Sequence, residues 1–471
     1  MSEALAGSVG AARMQVNPHI FREYDVRGIV ARDLAGEVAR HLGQAFGSVL
    51  RARAGTDRPR VVVGRDNRPS SEGLAALLSD GVGAAGVDVI DVGTVPTPVL
   101  YYAAARLGTE GAVQITGSHN PPEYNGFKMM VGGRAMWGAA IQELRRRIDA
   151  RDYATGSGAL SREEILPAYI EDVSGRFHLA RPVRVVVDCG NGVGSLVAEK
   201  LLRQTGAEVV PLFCESDGTF PNHHPDPTVD ENLEDLIERV RAEGADLGIA
   251  FDGDADRLGA VDENGAIVRG DLLLLLFGLD VLERLGPPQR LIFDVKCSRA
   301  VPEVFASRGG EPIMWKTGHS LIKEKMKETG ALIAGELSGH ICFAENYYGF
   351  DDALYGACAL LQIMARSAQP LSRRIAEFPS YVSTPEIRID VDEESKFEVV
   401  RAAVETFSRT HEVNDVDGAR ISFDGGWGLM RASNTQPVIV LRFEADSEDR
   451  LAYIRSTIES WLREQGVAVA S

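Results

Sequence analysis

Four short polar stretches carry the residues that could do chemistry. The first is Ile115-Thr116-Gly117-Ser118-His119-Asn120-Pro121-Pro122, with Lys128 ten residues beyond the serine. Pro lacks the N–H that a strand ladder needs, and Gly, Asn and Ser favour a loop. Ser118 therefore follows a strand-like run, where its hydroxyl can act as a nucleophile or carry a phosphoryl group. The plain alternative is a turn serine bonded to its own backbone. The second stretch is Asp252-Gly253-Asp254-Ala255-Asp256-Arg257, with three carboxylates at alternate positions spaced by small residues. Such close charges repel unless a cation joins them, and an all-oxygen set suits Mg²⁺, Mn²⁺ or Ca²⁺ rather than zinc. An EF-hand loop is a rival, because Glu263 falls at its twelfth position. Its sixth position, where Gly belongs, is Arg257, and a strand rather than a helix leads in. The third stretch, Glu336-Leu337-Ser338-Gly339-His340, adds a carboxylate, a hydroxyl and an imidazole. The fourth, Arg431-Ala432-Ser433-Asn434-Thr435-Gln436-Pro437, offers a guanidinium that fits a phosphate bidentately and short side chains that donate further bonds. A polar turn and a type I turn are the plain readings of these last two.

Strands must stand behind these loops. Apolar runs at 111–116, 245–251 and 331–335 each lead straight into one of the first three. In open α/β sheets that carboxyl end is where ligands bind. Further strand-like runs at 61–64 and 87–92 alternate with helical stretches at 71–84 and 139–148. A second unit begins near residue 164, with strands at 184–188 and 208–212. Its Gly190-Asn191-Gly192-Val193-Gly194 turn lacks the full dinucleotide spacing and is explained by strand-to-helix packing. A hairpin follows at 261–268, turning on Asp262-Glu263-Asn264-Gly265. A third unit runs from Asp271 to about 378, with a strand at 291–294. Beyond Phe378-Pro379-Ser380, the expected hinge, strands at 386–391, 419–423 and 438–443 and helices near 393–409 and 448–464 read as a small α+β domain with antiparallel pairing. The expected domains are thus 1–163, with 1–16 as a disordered tail, then 164–266, 267–378 and 379–471.

Composition narrows the function. A chain of 471 residues is too long for one core and suits three or four domains. A formal net charge of −18 argues against nucleic acid and anionic membrane as partners. An anionic substrate must then be captured by a local basic site. The five cysteines are scattered, without a C-x-x-C, which reads as buried reduced thiols rather than disulfides or zinc ligands. The longest aliphatic run, 272–277, is too short to span a bilayer, and residues 1–16 lack a signal-peptide pattern. The expectation is a cytoplasmic enzyme.

Together the four loops resemble the α-D-phosphohexomutase superfamily, and within it the bacterial phosphomannomutase/phosphoglucomutase group. The likeness runs from about Tyr24 to the last helix. It also takes in Tyr24-Asp25-Val26-Arg27-Gly28, Asn125-Gly126-Phe127-Lys128, Asp294-Val295-Lys296 and Thr317-Gly318-His319-Ser320. Gly117 stands where the family often has Ala, and Ala255 where it often has Gly; both keep a small side chain. The resemblance implies three similar mixed α/β domains around a central cleft, plus a C-terminal α+β domain with an antiparallel sheet. It implies that Ser118 carries a phosphoryl group and that Asp252, Asp254 and Asp256, with a phosphate oxygen on Ser118, hold Mg²⁺. Arg257 and Lys128 would neutralise the phosphoryl group in transit. Glu336 and Ser338 would bind sugar hydroxyls. Arg431, Ser433, Asn434 and Thr435 would hold the distal phosphate, with Tyr24, Arg27 and Lys296 nearby. His319, His340 or Lys128 would move the proton, while His119 would only order the serine loop. The implied reaction converts hexose 1-phosphate and hexose 6-phosphate through a phosphoserine enzyme and a 1,6-bisphosphate, with glucose 1,6-bisphosphate or mannose 1,6-bisphosphate as activator. The expected assembly is a monomer or weak homodimer. Rival readings are a Mg²⁺-dependent sugar phosphatase, a phosphoglucosamine mutase, and a non-enzymatic sugar-phosphate or calcium binder. Leu337 and Asn434 favour the hexose enzyme over the glucosamine one, and a mere binder has no use for Ser118.

Overall fold

In the computed structural model, which describes residues 16–433 and 436–468, the strands fall into four sheets. The first runs in the order Val26–Ile29, Tyr124–Val131, Gly111–Ile115, Arg60–Arg65, Asp88–Thr94, Leu160–Arg162, with Arg134–Ala135 paired to Tyr124–Val131. The second runs Ile267–Val268, Leu258–Asp262, Leu247–Phe251, Arg184–Asp188, Glu208–Leu212. The third runs Glu311–Trp315, Arg290–Asp294, Ile333–Gly335, Ile341–Phe343. All three mix parallel and antiparallel pairs. Val61, Val62, Val63, Val185, Val186 and Val187 are fully buried, as parallel strands covered on both faces require.

One connection recurs in all three sheets. A buried parallel strand ends, a polar loop follows, and the chain returns antiparallel beside the same strand. Ile115 pairs with Phe127 across the Ser118 loop. Phe251 pairs with Leu258 across the aspartate loop. Gly335 pairs with Ile341 across the Glu336 loop. The expected threefold repeat is therefore a repeat of this hairpin. Residues 125–128, read from sequence beside the serine loop, lie within the strand Tyr124–Val131, which places Lys128 opposite Gln114.

The fourth sheet is wholly antiparallel, in the order Val382–Ser383, Val438–Ala445, Gly426–Ala432, Ala419–Phe423, Val413–Asn414, with Ile387–Asp390 also on Val438–Ala445. Helices Ser395–Phe407 and Glu448–Glu464 cover one face through Ala403, Phe407, Ile454, Ile458 and Leu462. Arg431 belongs to the end of the strand Gly426–Ala432 rather than to a loop.

The hydrophobic interior divides unequally. One cluster runs without a break from Val62, Tyr101 and Tyr102 through Tyr169, Val185 and Ile249 to Leu274, Phe293 and Leu361, joining the first three units. The fourth domain has its own cluster and meets the third through Val295, Trp427 and Leu429. Arg420 seals that junction. Its guanidinium donates to the carbonyls of Val295 and Cys297 and lies 3.8 Å from the centre of the Trp427 ring. Burial pulls its pKa down to about 10. Val16, the last residue of the expected tail, is buried in the core of the first unit, and residues 1–15 lie outside the described residues.

Removing the Arg420 side chain leaves two carbonyls without donors and opens a gap beside Trp427. Arg420→Ala should cost about 2–4 kcal/mol of stability, measured from denaturant unfolding midpoints. A loss below about 0.5 kcal/mol would show that the junction holds without this clamp.

Candidate active site

The Ser118 loop is held from beneath by a buried ion pair. Arg68 donates to the carbonyls of Ser118 (2.8 Å), Asn120 (2.6 Å) and Pro121 (2.6 Å), and its Nε bonds Asp66. Asp66 in turn accepts from the Gly117 N–H at 2.9 Å. The Ser118 N–H donates to Thr116 Oγ1 at 2.8 Å. So braced, Ser118 adopts φ 49°, the left-handed region that non-glycine residues enter at a cost. The turn aims its hydroxyl at the aspartate loop, where Oγ donates to Asp252 Oδ2 at 3.0 Å. Gly253 permits this approach, since a Cβ there would run into the Ser118 carbonyl oxygen. His119 Nδ1 lies 3.1 Å from Ser118 Oγ, consistent with an ordering role.

Asp252, Asp254 and Asp256 are fully buried and bring one carboxylate oxygen each within 4.8 Å of one another. Asp252 Oδ1 accepts from the N–H groups of Asp256 and Arg257. Lys128 Nζ donates to Asp254 Oδ2 at 2.7 Å and to Asp256 Oδ2. Three carboxylates against one ammonium leave about two negative charges, which one divalent cation balances. Burial, then repulsion from Asp254 and Asp256, pushes Asp252 well above the usual carboxylate range. Burial also opposes the charge on Asp254, but Lys128 and Thr97 hold it below that range. Burial likewise works against the Lys128 ammonium, yet Asp254 and Asp256 keep it well above its ordinary value. Asp254 Oδ1 and Asp256 Oδ1 are buried without a hydrogen-bond partner. Unsatisfied carboxylate oxygens in an all-oxygen cluster fit a hard cation.

The third loop joins through Arg257, whose Nε donates to His340 Nε2 at 3.1 Å. An arginine always donates, so His340 Nε2 is an acceptor and its proton sits on Nδ1. That nitrogen faces Asp351 Oδ2 at 3.1 Å and Asp256 Oδ1 at 3.4 Å. Asp351 also pairs with Lys323 at 2.7 Å and lies 3.4 Å from His319 Nδ1. The two imidazoles stack with centroids 5.3 Å apart. Burial, then Lys323, pushes His319 well below its usual value, so it is neutral. Glu336 accepts from the Gly318 N–H at 2.8 Å and from Ser338 Oγ at 3.1 Å.

The remaining expected residues come together in chains. Arg27 bonds Asn120 in the serine loop and pairs with Asp25. Tyr24 OH donates to the Thr317 carbonyl at 2.9 Å. The Thr317 N–H donates to Asp417 Oδ2 at 3.1 Å, and the same oxygen takes Arg431 Nε at 3.0 Å. Lys296 pairs with Glu386 at 2.8 Å. Ser433 is buried, and its Oγ accepts from the Gln436 N–H at 3.2 Å. Asn434 and Thr435 lie outside the described residues. Sequence reasoning missed Asp66, Arg68, Thr97, Lys323, Asp351, Glu386 and Asp417. Only Lys323 carried a signal, standing four residues from His319 on one helix face.

Comparison with known proteins agrees along the whole chain. Four family models match: phosphoglucomutase/phosphomannomutase alpha/beta/alpha domain I at residues 18–155, domain II at 167–265, domain III at 269–381, and the C-terminal domain at 386–460. The chain is 50% identical over 446 residues to a phosphomannomutase/phosphoglucomutase of Pseudomonas aeruginosa, covering 94% of this chain and 95% of that one. It is 45% identical to a phosphoglucomutase of Neisseria gonorrhoeae, covering 94% and 96%. A solved phosphoglucomutase/phosphomannomutase family protein from Burkholderia thailandensis superposes with TM-score 0.90 at 46% identity, covering 96% of this chain and 99% of that one.

The charge conflict around Asp252 has a measurable sign. Its raised folded pKa means that the folded, metal-free protein binds that proton more tightly than the unfolded chain does. Its contribution to stability therefore falls as pH rises above the unfolded value of about 4. At neutral pH, Asp252→Asn should melt higher than wild type in EDTA, and Mg²⁺ should raise the melting temperature of wild type alone. Equal Mg²⁺-induced shifts in the two proteins would remove Asp252 from the metal site.

Proposed function

The chain belongs to the phosphoglucomutase/phosphomannomutase family, and from that membership we infer that it interconverts hexose 1-phosphates and hexose 6-phosphates of glucose or mannose through a phosphoserine at position 118. The observation that carries the residue assignment is the Ser118 hydroxyl, aimed by a strained turn at a buried three-aspartate cluster with unsatisfied oxygens. Asp252, Asp254 and Asp256, with a phosphate oxygen on Ser118, are the groups that would hold Mg²⁺. Bound there, the ion supplies charge neutralisation for the phosphoryl group and orients its transfer.

The chain's own residues divide the remaining work. Ser118 gives its phosphoryl group to the free hydroxyl end of a phosphosugar and takes back the other phosphate from the resulting 1,6-bisphosphate. Lys128, held charged by its two carboxylates, and Arg257 are fixed positive charges beside the moving group. Lys128 is for the same reason a poor base. The imidazoles suit proton transfer, and His340 has an accepting Nε2 and a carboxylate behind its Nδ1. His319 stacks on it and is neutral. Glu336 and Ser338 bind two sugar hydroxyls. Arg431 and Ser433, with Asn434 and Thr435, hold the distal phosphate, and Tyr24, Arg27 and Lys296 border it. The bisphosphate that turns over in the cleft would also prime unphosphorylated Ser118, which makes glucose or mannose 1,6-bisphosphate the expected activator. The separate core of the fourth domain suits movement about Pro379 while the intermediate reorients. Leu337 supports this reading over phosphoglucosamine mutase. No helix among the described residues is long and apolar enough to cross a membrane; a cytoplasmic enzyme working as monomer or weak homodimer is our reading.

A coupled assay on glucose 1-phosphate and mannose 1-phosphate, with and without glucose 1,6-bisphosphate, tests the reaction. Ser118→Ala should lower turnover by about three orders of magnitude or more with little change in stability, and wild type alone should carry phosphate at this residue. Near-normal turnover in Ser118→Ala would end the phosphoserine mechanism. Arg431→Ala should raise KM and lower kcat on both sugars, each by about tenfold, and release more bisphosphate, because distal-phosphate binding also positions the reacting end. Unchanged kinetics on both sugars would make Arg431 a structural residue only.

A further inference from the structure

Outside the cleft, the second unit holds a pair of thiols in direct contact. Cys189 directly follows the strand Arg184–Asp188, and Cys214 lies just past the neighbouring parallel strand Glu208–Leu212. Their sulfurs are 3.2 Å apart. Cys189 is buried and Cys214 half-buried, so a small oxidant reaches the pair through Cys214. The surrounding backbone is tightly knit. Cys189 N–H donates to the Leu212 carbonyl, Asn191 N–H to the Phe213 carbonyl, and the Asn191 side chain to the Glu215 carbonyl.

We propose that Cys189 and Cys214 form a reversible disulfide and that its formation slows turnover through the neighbouring aspartate loop. The route is short. Cys189 opens the turn Gly190-Asn191-Gly192, whose first two residues have φ 49° and 58°. Val193 N–H donates to the Gly253 carbonyl at 3.1 Å, inside the aspartate loop, and a Cβ on Gly192 would lie 2.7 Å from the same oxygen. Asn67 of the first unit reaches the Asn191 carbonyl at 2.8 Å and Ser216 at 2.9 Å. Asn67 directly precedes Arg68, the brace of the Ser118 loop. A disulfide needs its sulfurs at about 2 Å, so closing the 3.2 Å contact pulls the Cys189 and Cys214 side chains together and loads the turn that Cys189 opens. The turn then moves against both the aspartate loop and the serine loop.

The chemistry balances with a peroxide as oxidant. The Cys214 sulfur attacks one peroxide oxygen, the O–O bond breaks, and water leaves, giving a sulfenic acid. The Cys189 sulfur then attacks that sulfur, the S–O bond breaks, and a second water leaves. Two thiols are oxidised by two electrons, and one hydrogen peroxide is reduced to two waters. A small dithiol reverses the bond by exchange. The contact with Cys189 lowers the Cys214 thiol, and the contact with Cys214 raises that of Cys189, which suits the half-buried sulfur as the first to react.

The test treats the full-length enzyme with dilute hydrogen peroxide and maps peptides by mass. We expect a loss of two hydrogens located to a 189–214 cross-link, a several-fold fall in turnover, and recovery of both with dithiothreitol. Cys214→Ser should keep its turnover under the same treatment. The map is read without an activity assay, and turnover of the reduced enzyme separately tests the mutase reading on which the rate effect rests. Peptide maps lacking the 189–214 link would overturn the proposal, as would a cross-linked enzyme turning over as fast as the dithiol-treated one.

Discussion

The carboxylates of Asp252, Asp254 and Asp256 are buried beside one another, and that concentration of like charge sets the terms for everything around it. In a low-dielectric interior, each close carboxylate pair repels by several kcal/mol unless a counter-charge is near. The fold sets Lys128, from another sheet, in direct contact with two of the carboxylates, and Arg257 stands beside the cluster. It leaves the balance for a divalent ion. The cluster also meets a hydroxyl and two imidazoles. Ser118 approaches from one side, and Arg257 leads from the other to His340 and the Asp351–Lys323 pair. Lys323 and Lys128 are each fixed by buried carboxylates, so the cleft carries positive charge that does not depend on exposed side chains. Positive charge is thus fixed inside a chain whose formal net charge is −18.

Repetition of one hairpin explains how three sheets deliver their loops to a common space. A loop between a buried parallel strand and an antiparallel return is short and fixed at both ends by ladder hydrogen bonds. Side chains on such a loop are held to the precision of the sheet itself, which phosphoryl transfer requires. A continuous hydrophobic cluster through all three units then fixes the sheets relative to one another. The fourth sheet is built differently: it is wholly antiparallel and lies on a domain with its own core, joined through Trp427, Arg420 and the pairs Lys296–Glu386 and Arg299–Asp446. Arg431 thus stands on a domain whose core is separate from that of the first three units.

The sequence by itself determined the kind of chemistry and the elements that present it. Short apolar runs ending in Gly, Asn, Asp or Pro favour strands running into loops, and strands such as Arg184–Asp188 and Glu208–Leu212 and helices such as Ser71–Ala84 and Glu448–Glu464 stand where their patterns place them. Alternating carboxylates and a serine in a Gly/Asn/Pro loop point to a cation and a reactive hydroxyl, with a turn serine and an EF-hand loop as the alternatives. What only the tertiary structure decided is partnership between segments far apart in the chain. In the sequence Lys128 is a cation ten residues beyond Ser118; in the fold it is a strand residue turned onto Asp254 and Asp256, a contact spanning more than a hundred positions. Asp351 and Asp352 are neighbours in the sequence, yet Asp352 caps the helix Ala353–Ala365 while Asp351 turns inward to face two imidazoles. Arg68, Asp417 and Glu386 carried no local signal, because a charged residue in a polar stretch looks solvated until another element buries it. Spacing along the chain reveals periodicity and turn chemistry, which are local. Burial, charge pairing and the meeting of sulfurs at 3.2 Å depend on how sheets pack, which is not local.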